Sequence, residues 1–308
     1  MLDRVDTALV RILQRNGRAT YQELAERVGM SRTAVRVRVR NLLDSNTIRI
    51  VAVLHPGVTG CTTLGHVSLG LHGPAQPVAT HLAHRPAVAF LAHSGGRFPL
   101  VTQLRVHGEA ELAAELDELR GLSGVRAVEV FRARTVVKEA HGDLREWRCV
   151  PVDPLDWRLI ERLQRNGRVS YATLARQVGL SQAATRSRVV RLLAAGVLRI
   201  VALVGDTAPG SRQHLGFGLN CAGDTDRVAT RLAAVSGVVF LSCGFGRYDI
   251  VGHIVTGHFG ALLSTLEEIR ALTGVVDVES WQHLAVLKED PGSGVDAAIP
   301  CETSHTAR

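Results

Sequence analysis

The chain has 308 residues, 46% of them hydrophobic and 21% charged, with 36 Lys and Arg against 29 Asp and Glu and a net charge of +7. No apolar run approaches the roughly 18 to 20 residues that a membrane helix needs. The opening residues, Leu2-Asp3-Arg4-Val5-Asp6, lack the basic-then-apolar layout of a secretion signal, so a cytoplasmic protein with no membrane partner is expected. Five cysteines (Cys61, Cys149, Cys221, Cys243 and Cys301) lie far apart with no CxxC pair, and neither a zinc site nor a disulfide framework is indicated.

In chain order, Leu2, Val5, Leu9, Ile12 and Leu13 fall on one face at helical spacing, and Asn16-Gly17 stops that helix. A short second helix is expected over residues 21–28, with Leu24, Ala25 and Val28 inward. Gly29-Met30-Ser31 then makes a turn in which Gly29 takes the left-handed conformation and Ser31 caps a third helix over residues 31–43. Residues 48–54 read as a strand, either a wing or a bridge. Next come a strand over 64–71, a helix over 77–84, strands over 88–93 and 100–106, a helix over 109–122 and a strand over 125–137.

The series then starts again. Leu13-Gln-Arg-Asn-Gly-Arg18 recurs as Leu163-Gln-Arg-Asn-Gly-Arg168, and 24 of the 49 positions in 6–54 are identical in 156–204. The expected organisation is a reading domain at 1–55, a second domain at 60–139, their repeats at 153–205 and 212–289, and a disordered tail at 290–308. A linker at 140–154 joins the copies. The charge follows the repeat: residues 1–55 carry +5 and 151–205 carry +6, whereas 56–150 carry +1 and 206–308 carry −5. The basicity is local and duplicated.

A short helix, a glycine turn and a capped helix with a basic outer face form a helix-turn-helix layout suited to the major groove of double-stranded DNA. There Arg reads guanine, Gln reads adenine, and flanking Arg and helix N-termini hold phosphates. The outward residues are Arg32, Thr33, Arg36, Val37 and Arg40 in the first copy. In the second they are Gln182, Ala183, Arg186, Ser187 and Arg191. Arg38 and Arg188 lie nearer the inner face and are expected to pair with acids such as Asp6 and Asp156. The remaining segments run βαββαβ twice, the ferredoxin-like order, and the second face of each sheet is apolar enough to need a partner sheet. The fold class is therefore α+β, with two winged helix-turn-helix and two ferredoxin-like domains.

The unit resembles the Lrp/AsnC family of transcriptional regulators. The resemblance rests on Leu2-Asp3…Asp6, Leu13-Gln-Arg-Asn-Gly-Arg18, Leu24-Ala25…Gly29-Met-Ser31…Ala34-Val35…Arg38-Val39…Leu42, Gly246-Arg-Tyr-Asp249 and Leu272-Thr-Gly-Val275. It implies a DNA-binding domain followed by one that dimerises and senses a small effector, often an amino acid. It also implies that the glycine-rich loop before the third strand lines the effector pocket. Here that loop is Gly244-Phe-Gly-Arg-Tyr-Asp249, which makes Gly244, Gly246, Arg247, Tyr248 and Asp249 the effector candidates, with Trp281, Gln282 and His283 as further pocket candidates. Glycines let backbone N–H groups approach a carboxylate, and Asp249 would pair an α-amino group, although a tight turn with a capping Asp accounts for the same residues. The first copy has Pro99 in place of Asp249, so effector binding is expected to depend on the second copy.

Family members carry one copy and dimerise; this chain reads as a covalent pseudo-dimer, with further homo-oligomerisation possible. No Ser/His/Asp set, P-loop or metal-ligand spacing appears among its 13 histidines, so a regulator that is not an enzyme and holds no cofactor is expected. The alternative is a tetrapyrrole enzyme like the sirohaem decarboxylases, which resemble this architecture.

Overall fold

The computed structural model describes residues 2–139, 148, 150–204 and 212–289. These residues fall into two compact units, one made of 2–58 with the second copy's 148–204, the other of 59–139 with 212–289. Each unit therefore draws on both copies. The expected linker lies largely, and the expected tail wholly, outside the described residues.

In the first unit, α1 (Arg4–Arg15), α2 (Tyr21–Val28) and α3 (Arg32–Asp44) are repeated as α7 (Pro154–Arg165), α8 (Tyr171–Val178) and α9 (Gln182–Ala194). Local chemistry sets their ends. Asp3 accepts a hydrogen bond from Asp6 N, Thr20 and Glu23 form a reciprocal capping box, and Gly29 closes α2 at φ 67°. Ser31 Oγ accepts from Ala34 N to open α3, and Ser181 repeats the cap for α9.

The strands that follow, β1 (Ile48–Leu54) and β6 (Leu198–Val204), pair with each other as an antiparallel ribbon in which Val51 faces Val201. One apolar core runs through both heads, joining Leu9, Leu13, Val35 and Val39 to Leu159, Leu163 and Val189 across Ile50 and Ile200. The close approach explains the glycine of each Asn-Gly stop. Gly17 N donates to Ile200 O and Gly167 N to Ile50 O, both at 2.7 Å, and a Cβ on Gly17 would lie 3.0 Å from the Ile200 carbonyl. Arg18 reaches across to Gly167 O and Val169 O (2.8 Å each) and lies over the Tyr171 ring. Arg168 reciprocates with Ala19 O (2.9 Å) and Tyr21.

In the second unit the first copy supplies β2 (Thr63–Leu71), α5 (Gln76–Ala83), β3 (Val88–Gly95), β4 (Leu100–Val106), α6 (Glu109–Gly121) and β5 (Val125–Lys138). The second supplies β7 (Gln213–Cys221), α10 (Thr225–Ala234), β8 (Val238–Phe245), β9 (Ile250–Thr256), α11 (Phe259–Arg270) and β10 (Val275–Glu289). Each copy keeps the ferredoxin-like strand order. The long last strands do more: β5 pairs first with β2 and then with β8, and β10 first with β7 and then with β3. The eight strands close into one barrel, ordered β10-β3-β4-β2-β5-β8-β9-β7, which removes every exposed sheet edge. The helices cover its outside over two separate cores. A one-turn helix, α4 (Pro56–Thr59), follows β1. Among the described residues no helix is long and apolar enough to cross a membrane.

Candidate nucleic-acid interface and effector loop

On α3, Arg32, Thr33, Arg36 and Arg40 are exposed, and so are Gln182, Ala183, Arg186, Ser187 and Arg191 on α9. Val35, Val39 and Leu42, with their counterparts Thr185, Val189 and Leu192, anchor the opposite faces in the shared core. Among the described residues no ion pair or hydrogen bond holds the side chains of Arg32, Arg36 and Arg186. Arg40 makes only a loose, fully wetted contact with Asp44 at 3.4 Å.

The inner guanidinium groups behave differently. Arg38 donates to Asp3 (2.6 Å) and Asp6 (2.9 Å), and Arg188 to Asp153 (2.5 Å) and Asp156 (2.9 Å), as their inward placement predicts. The backbone N–H of Asp6 and then the Arg38 guanidinium hold the Asp3 carboxyl below its ordinary range; Asp153 follows the same pattern with Asp156 and Arg188.

Two details revise the sequence reading of this face. Arg191 turns back onto the bundle, where it donates to Asp156 and to Pro151 O, so its guanidinium serves the buried acid. Val190, not singled out from the sequence, occupies the position of Arg40 and is exposed, as is Val37 one turn earlier on α3. The signal for Val190 was the 150-residue offset itself.

The effector loop is the β8–β9 connection, and its residues diverge instead of converging on one cleft. Gly246 adopts φ 144°, and a Cβ there would lie 2.6 Å from Val130 O; a Cβ on Gly244 would run into Arg132 O. Close approach to β5 thus accounts for both glycines, in line with the tight-turn alternative. Asp249 Oδ2 accepts from Cys221 N at 2.8 Å, capping the end of β7. Arg247 pairs with Glu279 at 2.6 Å and lies 3.6 Å from Glu129. Tyr248 points into the barrel with its ring stacked 6.0 Å from that of Trp281, and burial followed by the nearby Glu279 raises its pKa.

Three histidines, among them the pocket candidate His283, share the barrel interior. The ring of His253 contacts those of His66, His283, Phe90 and Phe240, while His66 also meets Trp281 and His283 meets Phe90, at centroid separations of 4.8 to 6.2 Å. Both ring nitrogens of His66, Nε2 of His253 and of His283, Nε2 of Gln103 and Nε1 of Trp281 have no hydrogen-bond partner among the described residues. Burial pushes His66 down to about 4 and His283 to about 3, and holds His253 well below the usual histidine range, so all three are neutral at pH 7. His253 and His283 reach the interior because the strand pairing places them on the face opposite the helices, a long-range fact that no local spacing encodes. Among the described residues no group of three or more His, Cys, Asp or Glu is placed to hold a metal.

Comparison with known proteins bears on both units. A family model for the AsnC-type helix-turn-helix domain matches residues 2–43 and again 152–193. The chain is 26% identical over 140 residues to the HTH-type transcriptional regulator FL11 of Pyrococcus horikoshii, covering 45% of this chain and 93% of that one. It is 27% identical over 135 residues to the HTH-type transcriptional regulator LysM of Sulfurisphaera tokodaii, covering 44% and 96%. Each relative thus has the length of a single repeat. A solved siroheme decarboxylase, NirDL in complex with an iron-uroporphyrin III analogue, superposes over 94% of both chains with a TM-score of 0.65 at 15% identity, a likeness of fold.

Proposed function

We propose that this chain, a member of the Lrp/AsnC family, is a sequence-specific DNA-binding transcriptional regulator in which one polypeptide presents both reading heads of a pseudo-dimer. The observation that carries this reading is the division of labour among the arginines. Arg38 and Arg188 are tied to acids, while among the described residues no ion pair or hydrogen bond holds Arg32, Arg36 and Arg186, which stand on two outward helix faces of one shared core. A merely structural three-helix bundle has no use for free guanidinium groups at the N-terminal turns of these helices. Arg32 and Arg36, with Thr33, are proposed to read guanine-rich edges, Gln182 an adenine, and Arg40 and Arg186 to hold phosphates, with Val37 and Val190 offering apolar surface to thymine methyl groups.

Because the two faces differ, the half-sites are unequal. Footprinting of the purified chain tests this: substitutions in one half-site must weaken binding more than the mirror substitutions in the other. A symmetric footprint with equal tolerance in both halves would falsify the reading.

The proposal extends to a small effector, an amino acid in class, bound beside the β8–β9 loop of the second copy, where Asp249 is the carboxylate able to meet an α-amino group. The first copy has Pro99 there and lacks that acid. Isothermal titration with an amino-acid panel checks it: Asp249→Ala abolishes the heat and a Pro99 substitution leaves it, whereas equal losses from both remove the asymmetry.

A second reading, a non-regulatory tetrapyrrole enzyme, is favoured by one observation, the unpartnered imidazoles of His66, His253 and His283 inside the barrel. Two others weigh against it. The ring of His253 is packed at 4.8 to 4.9 Å against those of Phe90 and His283, and the three neutral histidines offer no positive charge to the carboxylates of a tetrapyrrole. A Soret band that develops on titration with haem and disappears in His253→Phe would support the enzyme reading.

A further inference from the structure

The two heads differ in what lies along the flank of the reading helix. On the second head the chain arriving from the first copy runs beside α9. Arg148 N donates to Ala195 O at 2.8 Å, Pro151 O accepts from Arg191 at 3.2 Å, and Val150 and Val152 pack on the head core. Ala195, which caps the end of α9, is buried there.

On the first head the same flank of α3 is an open groove of about 670 Å³, within the roughly 300–1,000 Å³ of clefts that hold small ligands. Met30, Ala34, Val37 and Leu42 form its apolar wall. At the C-terminal end of α3 it is edged by Asn41, in the place of Arg191, and by Ser45, in the place of Ala195. Ser45 is exposed, and among the described residues no donor meets its carbonyl oxygen, the counterpart of the acceptor that Arg148 N fills on the second head.

The sequence carries a second segment of the kind that covers α9. Lys138 ends β5, and Val150-Pro151 begins 12 residues later; the equivalent Lys288 stands at the end of β10, and Ile299-Pro300 begins 11 residues later. In both, a β-branched apolar residue precedes a proline. That order holds the first residue extended, as a segment lying along a helix flank requires, and it lowers the entropy lost on docking.

We propose that residues 297–300 dock in the groove of the first head as residues 148–151 dock on the second. Ile299 takes the place of Val150 against the apolar wall, Ala297 N donates to Ser45 O, and the Asn41 amide donates to a carbonyl of the segment as Arg191 does to Pro151 O. The last strand of each copy then sends its chain onto the other copy's head, and the tail expected to be disordered is anchored near its middle. Tethering selects this occupant over a separate molecule. A segment joined to β10 by so short a connection stands at a roughly millimolar effective concentration, which a free peptide must match. Ala297, Ala298, Ile299 and Pro300 also bring no charge to desolvate against Met30 and Leu42. Ser187, the counterpart of Val37, stays exposed beside the segment on the second head. The same docking therefore leaves the outward face of α3 open, and it is independent of whether the heads read DNA.

Hydrogen exchange followed by mass spectrometry on the full chain without DNA, at about 1 and about 100 μM, tests the docking. In the wild type, residues 41–48 and 297–302 are expected to exchange slowly at both concentrations. Ile299→Asp speeds exchange at 41–48 about tenfold or more, the factor that burial of one isoleucine side chain sets, whereas Ile299→Leu does not. Residues 191–198 stay protected in both variants, and Val150→Asp exposes 191–198 while leaving 41–48 as they were. Residues 297–302 that exchange at the unprotected rate in the wild type overturn the proposal and leave the groove to another molecule. Protection at 41–48 that Ile299→Asp does not change overturns it as well. So does protection that vanishes on dilution, which would assign the groove to the tail of a second copy.

Discussion

The two copies have been kept alike in the heads and allowed to differ in the barrel. Between 6–54 and 156–204, 24 of 49 positions match, whereas between 64–138 and 214–288 only 24 of 75 do. The distribution of the differences says more than their number. In the heads the shared core holds both copies to one pattern, and changes collect on the outward helix faces: Arg32 against Gln182, Val37 against Ser187, Arg40 against Val190. In the barrel the changes reach the interior, where His66 faces the place of Gly216, Gln103 that of His253, Phe131 that of Trp281 and Ala133 that of His283. A homodimer must repeat every substitution on both sides of its axis. A covalent pair can place a bulky ring on one side and a glycine on the other. Gly216 shows this, since a Cβ there would lie 2.1 Å from Trp281 Nε1.

The largest effect that separates the two units is pH dependence. Histidines whose pKa is pushed down by burial contribute stability that is fully present above the unfolded value of about 6.5. That stability is lost as pH falls toward their folded values of about 4 for His66 and about 3 for His283. Each contributes a slope of roughly 1.4 kcal/mol per pH unit in that window, so His66 and His283 together cost the barrel about 2–3 kcal/mol between pH 5.5 and 4.5, and His253 acts in the same direction. Hydrogen exchange followed by mass spectrometry is expected to show β7 and β9 opening before α3 and α9 on acidification. Simultaneous opening of heads and barrel, or a His66→Phe/His283→Phe variant with unchanged acid sensitivity, would refute this.

Next in size is a contrast between the heads. Asp156 is fully buried and serves both Arg188 and Arg191, while Asp6 is 20% exposed and serves Arg38. Breaking a buried pair from one side costs several kcal/mol. Discounting for the partly exposed arginines, Asp156→Ala should lose about 2–3 kcal/mol in urea unfolding and Asp6→Ala about 1 kcal/mol. Equal losses would show that burial does not distinguish the heads.

DNA affinity comes third. Replacing Arg32 or Arg36 by Ala is predicted to cost about 1–3 kcal/mol at one half-site only, read by fluorescence anisotropy on half-site variants. Replacing Arg186 should lower affinity for all sequences and reduce the salt slope by about 0.9. The smallest effect is at Arg40, whose exposed contact with Asp44 predicts a stability change within about 0.5 kcal/mol for Arg40→Ala. A larger loss would mean that this arginine has a structural task on α3 that its counterpart Val190 lacks.

Much of this architecture is legible in the sequence because it is local. The Thr20-to-Glu23 box, Gly29 at the end of α2 and Ser31 before α3 are turn and cap chemistry, and the inward set of each helix follows from its period. The pairing of Arg38 and Arg188 with acids was equally legible, since their angular position on the helix leaves few alternatives. What stayed hidden depends on partners far away in the chain. Nothing in residues 134–138 distinguishes the half of β5 that pairs with β8 from the half that pairs with β2, so barrel closure could not be read. The inward position of His253 follows from that closure. The pairing of Arg191 is hidden as well, because its angular position is outward while its side chain is long enough to return to Asp156. The need for glycine at Gly244 and Gly246 stayed hidden too, because it comes from the backbone of β5, far away in the chain.

The β1–β6 ribbon and the core beneath it also decide how this protein behaves on dilution. A reader assembled from two separate chains loses its second head when its concentration drops below the dissociation constant of the pair, and its occupancy of DNA then rises as the square of concentration. Here the second head is tethered and already docked, at an effective concentration that the cell's copy number does not alter. Occupancy should therefore be first order in chain down to the lowest levels, and a cell holding a handful of copies would have nearly all of them ready to bind.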